Sequence, residues 1–412
     1  MQTELADFIR NTPAGREADA ILRKCVHCGF CTATCPTYQV LGDELDGPRG
    51  RIYLIKQLLE SGEAGAKTQL HLDRCLTCGA CETTCPSGVE YVRLLNVGRE
   101  IIERQVPRRP GQALARALLR NFVTRRSLFG PAMKLGRMVR PLLPEVLRAK
   151  VTQARASGER PAPRQQRRMV VLEGCVQPAM APNINAAAAR LFDRIGISLV
   201  PAPAAGCCGA MRLHLGDAAG AREEARRNID AWWPLLEADA EAVIMTASGC
   251  GSQVREYAHL LQDDPKYAAK AARVSLLTRD VGEALADESE RLLPLLAKAR
   301  DRHAPRRIAY HAPCTLQHRL RLRGAAEKLL AAAGFELVPV ADAHLCCGSA
   351  GTYSLLQPEL AMRLRDDKLA ALGAGGPQAI ASANVGCIAH LQSGTRLPVR
   401  HWVELIDERM SE

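Results

Sequence analysis

One pattern occurs twice near the start of the chain and limits what the residues around it can become. Cys25, Cys28, Cys31 and Cys35 are followed by Pro36, and Cys75, Cys78, Cys81 and Cys85 by Pro86. Three thiolates at two-residue gaps fall on one tight turn and can wrap three corners of an iron–sulfur cube. Gly29 and Gly79, each directly after the second cysteine, permit the sharp backbone path. The fourth corner has to come from elsewhere. In this spacing the last cysteine of each run serves the other cluster, which assigns Cys25, Cys28, Cys31 and Cys85 to one [4Fe-4S] cluster and Cys75, Cys78, Cys81 and Cys35 to a second. Loops that exchange ligands are welded into one unit. Zinc also takes four cysteines, but usually as two C-x2-C pairs across a long gap, without three consecutive steps and a trailing proline.

The 39 residues between the motifs, with DGPRGRIYLIKQLLE at Asp46–Glu60, have helical periodicity and predict a helix-rich, two-cluster ferredoxin module. Two clusters in series relay single electrons between a two-electron donor and a distant acceptor. The chain has 16 cysteines in all. Met1–Lys24 has acids among its apolar residues and no continuous apolar stretch of an export signal, so the expected compartment is the reducing cytoplasm, where clustered thiols bind metal rather than pair. No run approaches the roughly 18 uninterrupted apolar residues of a membrane span.

From Met169 the periodicity changes to short apolar runs between helical segments: MVVLEG, a helix over about 181–195, ISLVP, a helix over about 217–236, and AVIMTA. The same order returns as RIAYHA, a helix near 324–333, FELVPV, a helix over about 358–372, and QAIASA. Strands alternating with helices predict parallel sheets. The cysteines mark this as a duplication: Cys175, Cys207, Cys208 and Cys250 recur as Cys314, Cys346, Cys347 and Cys387, offset by 139, 139, 139 and 137 residues. Each follows a strand, so all should gather at the carboxyl edge of a sheet, where open α/β sheets bind ligands. The fold class expected is thus mixed, a helical two-cluster module followed by a duplicated α/β cysteine-rich domain. The expected divisions are residues 1–105, a connector and linker over 106–168, and repeats over 169–300 and 301–412.

A formal charge of +11 needs a location before it has a meaning. Between Pro107 and Lys150 stand eleven cations, among them Arg108, Arg109, Arg116, Arg125, Arg126, Arg148 and Lys150, against the single acid Glu145, interleaved with Leu114, Leu118, Leu135 and Met138. This reads as a basic amphipathic stretch, either a solvated connector or a docking surface for a partner subunit or acidic lipid headgroups. Without aromatic platforms or a reading helix, nucleic acid is not an expected partner. Ser157–Arg168, rich in Pro, Gly and Arg, reads as a linker.

The two C-x31-CCG elements, each followed by a further cysteine, resemble the cysteine-rich domain shared by heterodisulfide reductases, lactate-utilisation proteins and iron–sulfur subunits of glycolate and glycerol-3-phosphate dehydrogenases. CVHCGFCTATCPTYQ, MTASGCGSQVREYAHLL, HAPCTLQH, LCCGSAGTYSLLQPELA, NVGCIAHLQSG and VRHWVELID are most similar to the glycolate oxidase (glycolate dehydrogenase) iron–sulfur subunits, and the resemblance covers nearly the whole chain. It implies an oxidoreductase subunit that relays electrons from the FAD of a separate catalytic subunit, often with a second flavin-like subunit, as glycolate becomes glyoxylate, towards a membrane quinone. The sequence agrees in what it lacks: no G-x-G-x-x-G follows a strand, so flavin and substrate sites are expected on the partner. Equivalent subunits for lactate or glycerol-3-phosphate are the near alternatives, and a disulfide-cleaving enzyme of the heterodisulfide-reductase type the distant one. Against the last, the full motif ends in C-x-x-C, whereas here the final position is Gln253 in one repeat and His390 in the other. The candidates for a third cluster are Cys175, Cys207, Cys208, Cys250, Cys314, Cys346, Cys347 and Cys387, with His390 as a nitrogen donor in the manner of a Rieske centre. His311, His318 and His344 flank these cysteines as hydrogen-bond partners of cluster sulfurs, proton carriers or plain turn residues.

Overall fold

Alternation of short apolar runs with helices leaves the strands little choice but parallel pairing, because each return path is a helix that must lie on a sheet face. In the computed structural model, which describes residues 1–142, 151 and 155–411, they form two all-parallel four-stranded sheets. The first contains β1 (Arg167–Val171), β2 (Ile197–Pro201), β3 (Val243–Met245) and β4 (Thr278–Asp280) in the order β2-β1-β3-β4. The second contains β5 (Arg306–His311), β6 (Phe335–Val338), β7 (Ala379–Ser382) and β8 (Val399–His401) in the order β6-β5-β7-β8. The topology repeats, and so does the register: Val170 lies against Val243 as Ala309 lies against Ile380. β4 and β8 have no apolar run to announce them; TRD and VRH pair along one edge and lead straight into helices at Val281 and Trp402.

The two repeats share one apolar core, in which Ile184, Leu191, Phe192 and Ile197 of the first pack with Ile308, Leu330, Trp402 and Ile406 of the second. Strand order reverses beside β1 and β5, and the segments that follow β1, β2 and β3, with their counterparts, carry the cysteines, Cys250 and Cys387 in the first turn of a helix.

Residues 1–106 are helical. Pro13–Lys24, Pro48–Ser61, Ala66–Asp73 and Tyr91–Gln105 surround a core of Ile21, Leu22, Ile55, Leu58, Leu59, Leu94 and Leu95. Proline opens several of these helices at the first position, where no donor is wasted. Cys35 is one such entry: it precedes the Pro36–Leu41 helix, which explains the cysteine–proline pair.

The basic stretch is helical at Pro110–Leu118 and Arg126–Met138, joined by a wide turn at Leu119–Val123. Glu145, Arg148 and Lys150 lie outside the described residues. The Pro- and Arg-rich segment before β1 has no regular structure yet is tied down: Arg160 pairs with Glu173 at 2.6 Å and Arg164 with Asp193 at 2.6 Å. Among the described residues, no helix is long and apolar enough to cross a membrane.

Candidate metal centres

Each cysteine loop in the helical half takes the same strained route. His27 and Thr77, the residues before the second cysteines, both have φ of 57°, and Gly29 and Gly79 after them have φ of 84° and 75°. Two left-handed residues on either side of a cysteine wrap the backbone around a common centre, which few L-residues tolerate.

The loops bring thiols of the two motifs together. Cys25, Cys28, Cys31 and Cys85 line one small cavity, which Cys81 also borders, and the electrostatic influence of Cys25, Cys28 and Cys85 reaches Cys31. Around the second loop, Cys81 feels Cys78, Cys75 and, from the first motif, Cys35. Among the described residues no three of these eight sulfurs lie within 4.8 Å of one another. A single tetrahedral ion with sulfur at 2.3 Å would hold its thiolates about 3.8 Å apart, so the cages are too wide for one zinc and suit a cluster. Burial pushes the Cys31 thiol up to about 11 and raises Cys25, Cys78 and Cys81 as well. In bare cages these four thiols are therefore protonated, and cluster assembly has to displace their protons.

The two cages differ in surroundings. Cys28 is exposed, between Val26 and Phe30 at 68% and 62% exposure, whereas Cys35, Cys75, Cys78 and Cys81 are buried. The buried cage has its own electrostatic support. Cys75 Sγ accepts from Thr77 N–H at 3.4 Å and from the Tyr91 hydroxyl at 3.5 Å. Arg99, 6% exposed, donates to the carbonyls of Leu72 and Cys75 and to Thr77 Oγ1; Arg51, 1% exposed, holds Thr37 Oγ1 and Asp46. Burial works against the Arg51 charge, but Cys75, Tyr91, Cys35 and Asp46 override it and raise its pKa. Neither arginine stood out in sequence. Both sit inside helical apolar windows, and an arginine unable to face water there is the signal that was available.

In the duplicated half the thiols form two matching chains, Cys175–Cys207–Cys208–Cys250 and Cys314–Cys346–Cys347–Cys387, each neighbour in side-chain contact with the next. Cys314 and Cys346 are 3.7 Å apart. Both chains border one cavity of about 670 Å³ between the repeats and the helical half, which Gln253 also lines. The second chain adjoins the ferredoxin-type cage: Cys78 packs with Cys314 and Cys346 in one apolar cluster. That seam is pinned by the Glu82–Arg319 ion pair at 2.9 Å and by Thr83 against His318 at 2.9 Å. His318 uses its other nitrogen on the His344 carbonyl, so it works as a joint. His390 Nε2 donates to the Ala361 carbonyl at 3.1 Å.

Comparison with known families agrees with both halves. The profile described as "4Fe-4S dicluster domain" matches residues 21–89, and that described as "Cysteine-rich domain" matches 169–255 and 308–392. The chain is 52% identical, over all of both chains, to the "Glycolate oxidase iron-sulfur subunit" of Escherichia coli K12. It is 31% identical to the "Probable glycolate oxidase iron-sulfur subunit" of Bacillus subtilis 168, over 94% of this chain and 92% of that one. To "Lactate utilization protein A" of an Exiguobacterium strain it is 25% identical over 58% of its own length and 96% of the relative's.

Proposed function

Because the chain belongs to the family of glycolate oxidase iron–sulfur subunits, we propose that it is the electron relay of a glycolate-oxidising complex. Cys25, Cys28, Cys31 and Cys85 hold one [4Fe-4S] cluster and Cys75, Cys78, Cys81 and Cys35 a second. A bound cluster supplies one-electron transfer at a potential set by charge, hydrogen bonds and exposure. The observation that carries the reading is the pair of crossed thiol cages, one open to solvent and one sealed against the duplicated half.

The residues divide the work accordingly. Val26 and Phe30 form an apolar rim at the exposed cage, where a partner's cofactor can approach without trapping water. Oxidation of a 2-hydroxy acid removes two electrons with a hydride, and neither cage can take a hydride. That need would be met by FAD on a separate catalytic subunit, accompanied by a second flavin-like subunit, which would supply hydride acceptance, while the thiols of the open cage would hold the cluster that takes single electrons. Tyr91, Thr77, Arg51 and Arg99 hold the inner cage and favour its reduced form. Exposed Leu114, Leu118, Leu135 and Met138 beside Arg125 and Arg126 suit the surface of a membrane that contains a quinone acceptor.

The test is anaerobic co-purification followed by counting. The full chain should carry about eight iron atoms in its two clusters and bring flavin with it through a partner. Stoichiometric zinc in place of iron would overturn the assignment of the cages, and an iron-loaded chain that recruits no flavoprotein would overturn the relay.

A further inference from the structure

The repeats match closely, yet at one place the second departs from the first in chemistry. On β5 and β7 the adjacent residues His311 and Ser382 end the strands at the carboxyl edge. Carried back by the offsets of the duplication, these positions are Leu172 and Met245, both apolar and buried. A buried polar pair has thus replaced a hydrophobic one beneath the thiols.

His311 is 2% exposed. Its Nδ1 is 2.9 Å from Ser382 Oγ, which fixes the ring, while Nε2 is buried with no hydrogen-bond partner. An unpaired buried nitrogen is costly, and two thiols are close to this ring: a ring nitrogen of His311, Cys347 Sγ and Cys387 Sγ all lie within 4.8 Å of one another. Asn384 Nδ2 donates to Cys387 Sγ at 3.3 Å, a bond that favours a thiolate. Lys368, 4% exposed, is held by the Asp342 carbonyl at 2.6 Å, within electrostatic reach of Cys347. Among the described residues the first repeat offers no comparable group of three. Cys387 and Asn384 line the 670 Å³ cavity, so an ion can reach the site from there.

We propose that His311 Nε2, Cys347 and Cys387 form a mixed imidazole–thiolate site for a thiophilic transition metal, iron or zinc, which the second repeat possesses and the first lacks. The donor set suits either metal, and the Ser382 contact to the far nitrogen is the outer-shell support such a histidine needs. The nitrogen donor is then His311 rather than His390, whose Nε2 is spent on a carbonyl. The site does not depend on what the ferredoxin-type cages bind.

The test uses the full chain, purified without oxygen, with iron and zinc counted and electron paramagnetic resonance of the reduced clusters as an independent readout. His311→Leu, which installs the first repeat's residue, and Cys387→Ser should each lose the same metal, while His390→Leu keeps it and the resonances of the ferredoxin-type clusters stay unchanged. Loss of zinc identifies a zinc site, and loss of iron an iron site. His311→Cys should retain the metal, and where that metal is iron gain thiolate-to-iron absorption, so it decides the matter if the leucine variant fails to fold. Wild-type metal content in folded His311→Leu, or a folded His311→Cys that binds no metal, would overturn the proposal.

Discussion

Arg99 donates four hydrogen bonds around the second cysteine loop, all to neutral oxygens, so its positive charge is free to act on the cage it encloses. A cluster gains negative charge on reduction, and a buried cation beside it favours the reduced form. Arg99→Met should lower the potential of the inner cluster by on the order of 50–100 mV, since each 1.4 kcal/mol is about 59 mV for one electron, and leave the outer cluster where it was. Redox titration followed by electron paramagnetic resonance separates the two; equal shifts in both would contradict the placement. Asp280 offers a test away from the metal. Its Oδ1 accepts from Gly282 N–H at 2.8 Å, its Oδ2 is buried and unpaired, and burial raises its pKa to about 7. The folded state therefore binds this proton more tightly than the unfolded chain. The stability it contributes is complete below about pH 4 and is lost as the pH rises through about 7. Asp280→Asn keeps the cap and removes the titration, so it should be more stable than wild type by about 1–2 kcal/mol above pH 8, converging below about pH 4. Urea unfolding across that range checks it, and a difference independent of pH would refute it.

Elements were legible where burial imposes a period and illegible where it does not. The strands at Met169, Ile197, Ile308 and Phe335 are apolar runs between helices, and each lies where the alternation places it. β4 and β8 escaped because three residues paired along an edge need no apolar signature. The basic stretch was read as eleven cations in a field of their own, a count along the sequence that omitted acids brought by folding. Arg108 is ion-paired with Asp73 and Glu103, both at 2.6 Å, and Arg116 with Glu103 at 3.2 Å, joining the stretch to the helical half. Among the described residues, the exposed remainder is Arg109, Arg125, Arg126 and Lys134, beside Leu114, Leu118, Leu135 and Met138. The stretch thus contains two kinds of arginine with different expected phenotypes. Arg125→Glu with Arg126→Glu should weaken recovery with acidic membranes or the complex, more so at low salt, because exposed charges are screened beyond roughly 8 Å at physiological strength. Arg108→Glu should instead destabilise the fold by a few kcal/mol, since it leaves Asp73 and Glu103 facing a third acid. Vesicle sedimentation at two salt concentrations and thermal melts distinguish them, and salt-independent binding by the double variant at wild-type strength would mark the surface as a plain connector.

At the scale of the whole molecule, the exchange of cysteines between the two loops is an expectation of the spacing, but nothing in the sequence says which cage faces water. Folding decides it. Helices Pro13–Lys24 and Pro48–Ser61 leave the Cys28 loop at the surface, whereas the second loop is capped by the duplicated half through Glu82–Arg319 and the packing of Cys78 on Cys314 and Cys346. Gly79 shows how close that cap sits: an added Cβ would come within 2.7 Å of the Arg319 side chain. If electrons enter at the open cage and pass inward, the two cages are not interchangeable. Cys28→Ser, which removes the outer cluster, should abolish reduction of the inner one by glycolate in the assembled complex, while dithionite still reduces it. Cys78→Ser should leave the outer cluster reducible by glycolate but stop transfer to a quinone analogue. Rapid-freeze resonance of the two variants reads both cages directly. Inner-cluster reduction at the wild-type rate without the outer cluster would mean that the partner docks on the other side, and that the exposed rim of Val26 and Phe30 serves something else.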